Sequence, residues 1–129
     1  MARVLIVDDT TFMRDLIRTL VTDVGHEVIA EAEDGYIAVN EYAKNRPDIV
    51  LLDILMPKMD GITTLKTIMS YDPKGRVIMI SAINSEKVIK LALKFGAKGF
   101  IFKPFQKGQL YNEINKALTE NGNETLTGP

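Results

Sequence analysis

Five residues far apart in the chain carry side chains that could act together: the adjacent pair Asp8-Asp9, then Asp53, Ser81 and Lys103. Each follows a short apolar run, V-L-I-V before the pair, I-V-L-L before Asp53, V-I-M-I before Ser81 and F-I-F before Lys103. Two carboxylates at about 4 Å repel by roughly 4 kcal/mol at an effective dielectric near 20. Three of them at the rim of a core therefore call for a cation. Magnesium suits such a group, since it takes carboxylate, carbonyl and water oxygens and keeps positions open for a phosphate. An ammonium and a hydroxyl alongside would serve the remaining phosphate oxygens. A carboxylate held between the metal and the lysine is placed to attack phosphorus and become an acyl phosphate. On these grounds Asp53 is the candidate nucleophile, and Asp8 with Asp9 the metal pair.

Only a particular scaffold brings these residues together. Short apolar runs alternate with amphipathic segments along the whole chain, the rhythm of a parallel sheet covered by helices on both faces. Strands are predicted at about 3 to 8, 27 to 32, 48 to 53, 76 to 81 and 99 to 103. Met13, Leu16, Ile17, Leu20, Val21 and Val24 predict a first helix ended by Gly25. Ala38, Val39 and Tyr42 mark a second, and Ile62, Leu65, Ile68 and Met69 a third. Ile89, Ala92 and Leu93 before Gly96 mark the fourth, and Leu110, Ile114, Ala117 and Leu118 the fifth. In an open parallel sheet ligands bind at the carboxyl ends of the strands, where all five polar residues would meet.

The 129 residues, 46% apolar and 26% charged, suit one globular domain over residues 1–120. Residues 121–129 read as a polar tail expected to be disordered. Asn123-Glu124-Thr125 matches a glycosylation pattern that is expected to be a chance match, since the residues at the amino terminus do not read as a secretion signal. A formal net charge of -1 gives no general attraction to nucleic acid or to an anionic membrane. The absence of cysteine excludes disulfides, thiolate metal sites and cysteine nucleophiles. A soluble, cytoplasmic monomer is expected.

Each candidate also has an ordinary structural use. Asp9-Thr10-Thr11 could simply cap a helix, and Asp53, Ser81 and Lys103 could face water from loop ends. Phe100 could be core packing. His26 suits a turn, and Met56 and Met59 suit a packed loop. Lys87, Lys90 and Lys94 fall on one face of the fourth helix, with Lys98 and Lys107 nearby. They form either a solvated face or a dock for an acidic partner.

The motifs V-D-D-T-T-F-M-R, E-A-E-D-G, D-I-V-L-L-D-I-L-M-P-K-M-D-G, S-A and K-P-F occur in that order between residues 7 and 105, within a stretch of resemblance covering about residues 3 to 119. In these the chain resembles the receiver domains of two-component response regulators, most closely the stand-alone chemotaxis type. The resemblance implies a flavodoxin-like, doubly wound five-stranded parallel sheet of order 2-1-3-4-5 with five helices. It implies that Asp53 accepts a phosphoryl group from a phosphohistidine of a histidine sensor kinase. Mg²⁺ would be bound by Asp9, Asp53 and the Leu55 carbonyl, and by Asp8 through water. Lys103 would bridge Asp53 and the phosphate, Ser81 would donate a hydrogen bond to a phosphoryl oxygen, and N–H groups near Leu55 and Ala82 would complete the cradle. Lys103-Pro104 would be cis.

Phe100 occupies the position of the family's switch aromatic, commonly Tyr, and lacks the hydroxyl. Ser81 moving inward would let this ring turn and alter the face of the fourth helix, fifth strand and fifth helix, where a protein target would dock around Lys87, Lys90 and Lys94. Leu55 and Ile83 border the path of hydrolytic water and cannot orient it, so slow self-dephosphorylation aided by a phosphatase is expected. The protein would catalyse its own phosphorylation and dephosphorylation without turning over an external substrate.

A phosphorelay intermediate, passing the group on to a histidine phosphotransfer protein, is the alternative function. Two rivals of similar architecture fit less well. Aspartyl-phosphate hydrolases of the haloacid-dehalogenase type carry D-x-D at the first strand, whereas here the acids adjoin. A flavodoxin would need an acid-free first loop for its cofactor phosphate.

Overall fold

The computed structural model describes residues 1–119. The tail expected over 121–129 lies outside the described residues. Five strands, β1 (Arg3–Val7), β2 (Glu27–Ala32), β3 (Ile49–Leu52), β4 (Val77–Ser81) and β5 (Gly99–Phe102), alternate with five helices. The helices are α1 (Thr11–Asp23), α2 (Gly35–Asn45), α3 (Gly61–Tyr71), α4 (Glu86–Lys94) and α5 (Lys107–Thr119). All strand pairings are parallel, in the order β2-β1-β3-β4-β5. The expected doubly wound sheet and its order are therefore observed.

The two-residue period of a strand divides the apolar runs between two cores. Leu5, Val7, Val50, Leu52, Val77 and Met79 point to the side covered by α2, α3 and α4, against Ala38, Tyr42, Leu65, Ile68 and Ala92. Val4, Ile6, Ile49, Leu51, Ile78 and Ile80 point to the other side, against Ile17, Val21, Leu110, Ile114 and Ala117. β1, β3 and β4 lie inside the sheet, buried on both faces, so their sequences are apolar nearly throughout. β2 is an edge strand, and its E-V-I-A-E-A carries Glu31 outward to Arg14 and Arg18.

Helix starts are set locally. Thr10, Asp34, Asp60 and Ser85 each accept a hydrogen bond from the backbone N–H three residues on, capping α1 to α4. Gly25 and Gly96 take left-handed φ values of 94° and 108° just beyond α1 and α4, the stop the sequence predicts. Three apolar residues predicted to face the core do not. Leu16, Val24 and Leu93 are exposed. Leu93 sits about 100° around the helix from Ala92, and the core-facing side of α4 is Ala92 with the partly buried Val88, continued by Phe95 at the C-cap.

His26 performs the turn role expected of it: its Nδ1 accepts the Ala2 N–H at 2.9 Å. Burial, helped by the amino-terminal charge, holds its pKa below the ordinary imidazole value. Tyr42 ties α2 to α3 by donating to Asp72 Oδ2 at 2.7 Å. No helix among the described residues is long and apolar enough to cross a membrane.

Candidate functional site

The carboxyl ends of β1, β3, β4 and β5 lie side by side at one rim because all four strands are parallel. Asp8, Asp53 and Ser81 are buried there, with 1%, 6% and 0% of their surfaces exposed. Lys103 comes from the residue after β5 and is half-buried. Asp8, Asp9 and Asp53 each offer a carboxylate oxygen to a group in which these atoms lie within 4.8 Å of one another.

Asp8 is held at both oxygens. Its Oδ1 accepts the Thr10 N–H at 3.0 Å and the Thr10 hydroxyl at 3.1 Å, and its Oδ2 accepts Lys103 Nζ at 2.7 Å. Arg14 donates to the Asp8 carbonyl at 2.7 Å and to Glu31 Oε1 at 2.9 Å, which anchors the Asp8-Asp9 peptide to the edge strand. Thr10 rather than Asp9 caps α1, accepting from Met13 N. The ordinary explanation for an acid at Asp9 is therefore taken by its neighbour, and Asp9 stands exposed at the mouth.

Asp53 Oδ1 accepts the Ile54 N–H at 2.8 Å, and its Oδ2 lies 3.4 Å from Lys103 Nζ. Lys103 thus spans Asp8 and Asp53, with the shorter contact to Asp8 and not to Asp53. Burial above all pushes the Asp53 carboxyl above its ordinary range; the Lys103 ammonium pulls it back, the Asp8 carboxylate pushes further up, and the Ile54 N–H pulls down again. One ammonium among three carboxylates leaves a deficit of positive charge. Oxygen donors at this spacing, two of them buried and one at the mouth, suit a hard divalent ion such as Mg²⁺.

Ser81 Oγ accepts the Ile83 N–H at 3.1 Å. The serine and the β4–α4 loop are therefore directly linked. Leu55 is 60% exposed and Ala82 is also exposed, both at the rim. Phe100 is partly buried against the core beneath α2, α3 and α4, its ring centroid 5.2 Å from that of Phe102. Lys87, Lys90 and Lys94 are exposed on α4, with Lys90 3.8 Å from Glu86. Lys103-Pro104 is cis.

The segment after β3 is closed by Gly61, whose N–H donates to the Ile54 carbonyl at 2.7 Å. A Cβ at this position would lie 2.0 Å from the Asp53 carbonyl oxygen and 2.6 Å from Ile54 Cα, both rigid backbone atoms. Gly61→Ala is expected to cost about 3 kcal/mol, the upper end for overpacking, and to displace Asp53. A thermal midpoint equal to that of the parent would contradict this. Met59 packs on Gly35 and Met56 on the adjacent core, as expected of loop-packing methionines. Lys58 in the same loop has φ 70°, and its Nζ lies 3.6 Å from the buried Asp34. The sequence alone shows the helix cap in Asp9-Thr10-Thr11 but not which residue makes it, and it carries no signal for the roles of Arg14 and Lys58 beyond the order D-D-T-T-F-M-R.

The family profile described as response regulator receiver domain matches residues 4–115. The chain is 48% identical over 116 residues to the chemotaxis protein CheY of Bacillus subtilis, covering 90% of this chain and 97% of that protein. It is 46% identical over 114 residues to the chemotaxis protein CheY of Thermotoga maritima, covering 88% and 95%. Among solved structures, a chain of the CheX-CheY-BeF3-Mg complex from Borrelia burgdorferi superimposes with a TM-score of 0.85 at 45% identity, covering 87% of this chain and 85% of that one.

Proposed function

The chain belongs to the response regulator receiver domain family, and from that premise we propose that it is a phosphorylation-activated signalling protein of chemotaxis, with Asp53 as the phosphoryl acceptor. The observation that carries this reading is the placement of Lys103 Nζ between Asp8 and Asp53, 2.7 Å and 3.4 Å away, inside a cluster of three carboxylates. The relatives named chemotaxis protein CheY support the setting.

The donor is a phosphohistidine on a histidine sensor kinase. An Asp53 carboxylate oxygen forms the new O–P bond as the P–N bond breaks, and the bonding pair returns to the imidazole nitrogen. Lys103 shifts from its carboxylate contacts toward a phosphoryl oxygen, and the Ser81 hydroxyl donates to another. Asp9, Asp53 and the Leu55 carbonyl would hold Mg²⁺ directly, and Asp8 through water. When bound, the ion offsets negative charge on the carboxylates and on the phosphoryl oxygens. N–H groups at Leu55 and Ala82 cradle the group. Ser81, drawn inward, makes room for Phe100 and changes the face of α4, β5 and α5. A protein target docks there around Lys87, Lys90 and Lys94, in the cytoplasm.

Intact mass measured after incubation with acetyl phosphate and Mg²⁺ tests the proposal. The parent is expected to gain one phosphoryl group and Asp53→Ala none; a parent without the adduct would end the reading. Leu55 is exposed and Ile83 half-buried, two residues beyond Asp53 and Ser81, where they would flank the route of attacking water. Neither can hydrogen-bond to it, so the acyl phosphate is expected to be long-lived without a phosphatase. Leu55→Asn and Ile83→Glu are each expected to speed phosphoryl loss several-fold, and decay at the parental rate would remove this account of its lifetime.

A further inference from the structure

Between α3 and α4 lies an open groove of about 510 Å³. Ile62 lines it from α3, Val88 and Leu91 from α4 and Phe95 from the C-cap of α4, and Leu55 and Ile83, two residues beyond Asp53 and Ser81, complete the wall. Leu55 and Leu91 are exposed, at 60% and 38%. The groove adjoins the face of α4, β5 and α5 named above, and Lys87 and Lys94 stand on the edge of α4 between the two.

The charges at its border are unequal. The Asp60 carboxylate lines the groove but is engaged in capping α3, accepting from Thr63 N at 2.8 Å, and Glu86 faces Lys90 at 3.8 Å. Lys66 also lines the groove, its Nζ 4.8 Å from the centre of the Phe95 ring. Lys87 and Lys94, four residues before and three after Leu91, are its neighbours on the helix surface. Lys66 therefore lines an apolar floor and Lys87 and Lys94 flank Leu91 at its edge, while Asp60 accepts the α3 capping hydrogen bond and Glu86 faces Lys90.

We propose that this groove receives an acidic amphipathic helix of a partner protein. Its apolar side chains, at helical spacing, would cover Leu55, Ile62 and Leu91, and its carboxylates would meet Lys66, Lys87 and Lys94. The site is coupled to the chemistry by two short connections. Ile54, next to Leu55, donates its N–H to Asp53 Oδ1, and the Ile83 N–H donates to Ser81 Oγ. Any movement of Asp53 or Ser81 on phosphorylation changes the wall of the groove, so phosphorylation alters partner affinity, and a bound partner alters phosphoryl lifetime. This coupling rests on the phosphoacceptor reading; the groove itself does not.

The probe is a synthetic helical peptide of about 15 residues with leucines at i, i+3 and i+7 and glutamates flanking them, titrated into isotope-labelled full-length chain with and without acetyl phosphate and Mg²⁺. Amide shifts are expected at Leu55, Ile62, Ile83 and Leu91. Leu91→Ser and Lys66→Glu are each expected to weaken binding by roughly tenfold or more, while Tyr36→Ser, an exposed change on α2, has no effect. Lys66→Glu alters only an exposed side chain, so its effect does not depend on the fold tolerating Leu91→Ser. Shifts confined to Phe102 and Asn112, equal binding by both groove variants, or no binding at millimolar peptide would overturn the proposal. If the peptide binds as expected but Asp53 takes up no phosphoryl group, the phosphoacceptor reading fails and the groove stands. Affinity unchanged by confirmed phosphorylation would overturn the coupling.

Discussion

Lys103→Met is expected to lower the thermal midpoint in magnesium-free buffer by on the order of 10 °C. Its Nζ is the cation nearest to two carboxylates that are themselves almost wholly buried, Asp8 at 2.7 Å and Asp53 at 3.4 Å. Methionine keeps most of the volume and removes the charge, leaving Asp8 with only the Thr10 N–H and hydroxyl as donors. Removing one member of a buried pair costs about 3–5 kcal/mol. The Lys103 side chain is 18% exposed, so water repairs part of the loss and the lower end applies. About 3 kcal/mol corresponds to roughly 10 °C in a domain of this size. Added Mg²⁺ is expected to restore much of the midpoint, because a divalent ion replaces the missing charge. Phosphoryl uptake from acetyl phosphate is expected to stay depressed, by about a hundredfold, the usual cost of deleting one donor to a developing oxyanion. Thermal melts across a magnesium series, with intact mass over time, check both parts. A midpoint indifferent to the substitution would show that Lys103 does not hold the acids together.

Asp53→Asn is expected to act in the opposite direction on stability, raising the magnesium-free midpoint at neutral pH by several degrees. Asparagine keeps the shape and an acceptor for the Ile54 N–H, but no longer places a charge beside Asp8. Burial raises the Asp53 pKa in the folded protein, so the native state holds this proton more tightly than the unfolded chain does. The stability contributed by the group is therefore complete below the ordinary carboxylate value and is lost as pH rises through the raised folded value. The gap between variant and parent should be widest at neutral pH and should close on acidification toward about pH 4. Magnesium should reverse the order of the two proteins. It stabilises the parent in proportion to RT ln(1 + [Mg²⁺]/Kd) and the variant much less, since one of three carboxylates is gone. Melts at neutral and acid pH, each with and without Mg²⁺, provide four comparisons. A variant less stable than the parent in magnesium-free neutral buffer would mean that the cluster is not short of positive charge.

The amino-acid order by itself determined the alternation of strands and helices, because each apolar run is as long as a strand buried on both faces and each amphipathic segment carries its own cap or stop. It also determined which polar residues would gather, since parallel strands put every residue that follows an apolar run at one rim. Asp8, Asp53, Ser81 and Lys103 were legible for that reason. Which atoms of these residues meet was decided only by tertiary structure. Lys103 lies 95 residues from Asp8, and no local pattern says that its short contact would be with Asp8 and its longer one with Asp53. The helix registers were ambiguous for a similar reason. Leu16, Val24 and Leu93 fit an apolar stripe by spacing, but a helix rotates to bury the residues its neighbours can accommodate, and those neighbours belong to distant parts of the chain. Thr10 taking the cap and leaving Asp9 outward, Arg14 fastening the Asp8 carbonyl to the edge strand, and the groove between α3 and α4 are products of packing between separate segments. Periodicity and strand ends are properties of consecutive residues and can be read from them; contact geometry depends on how the segments come to rest against one another.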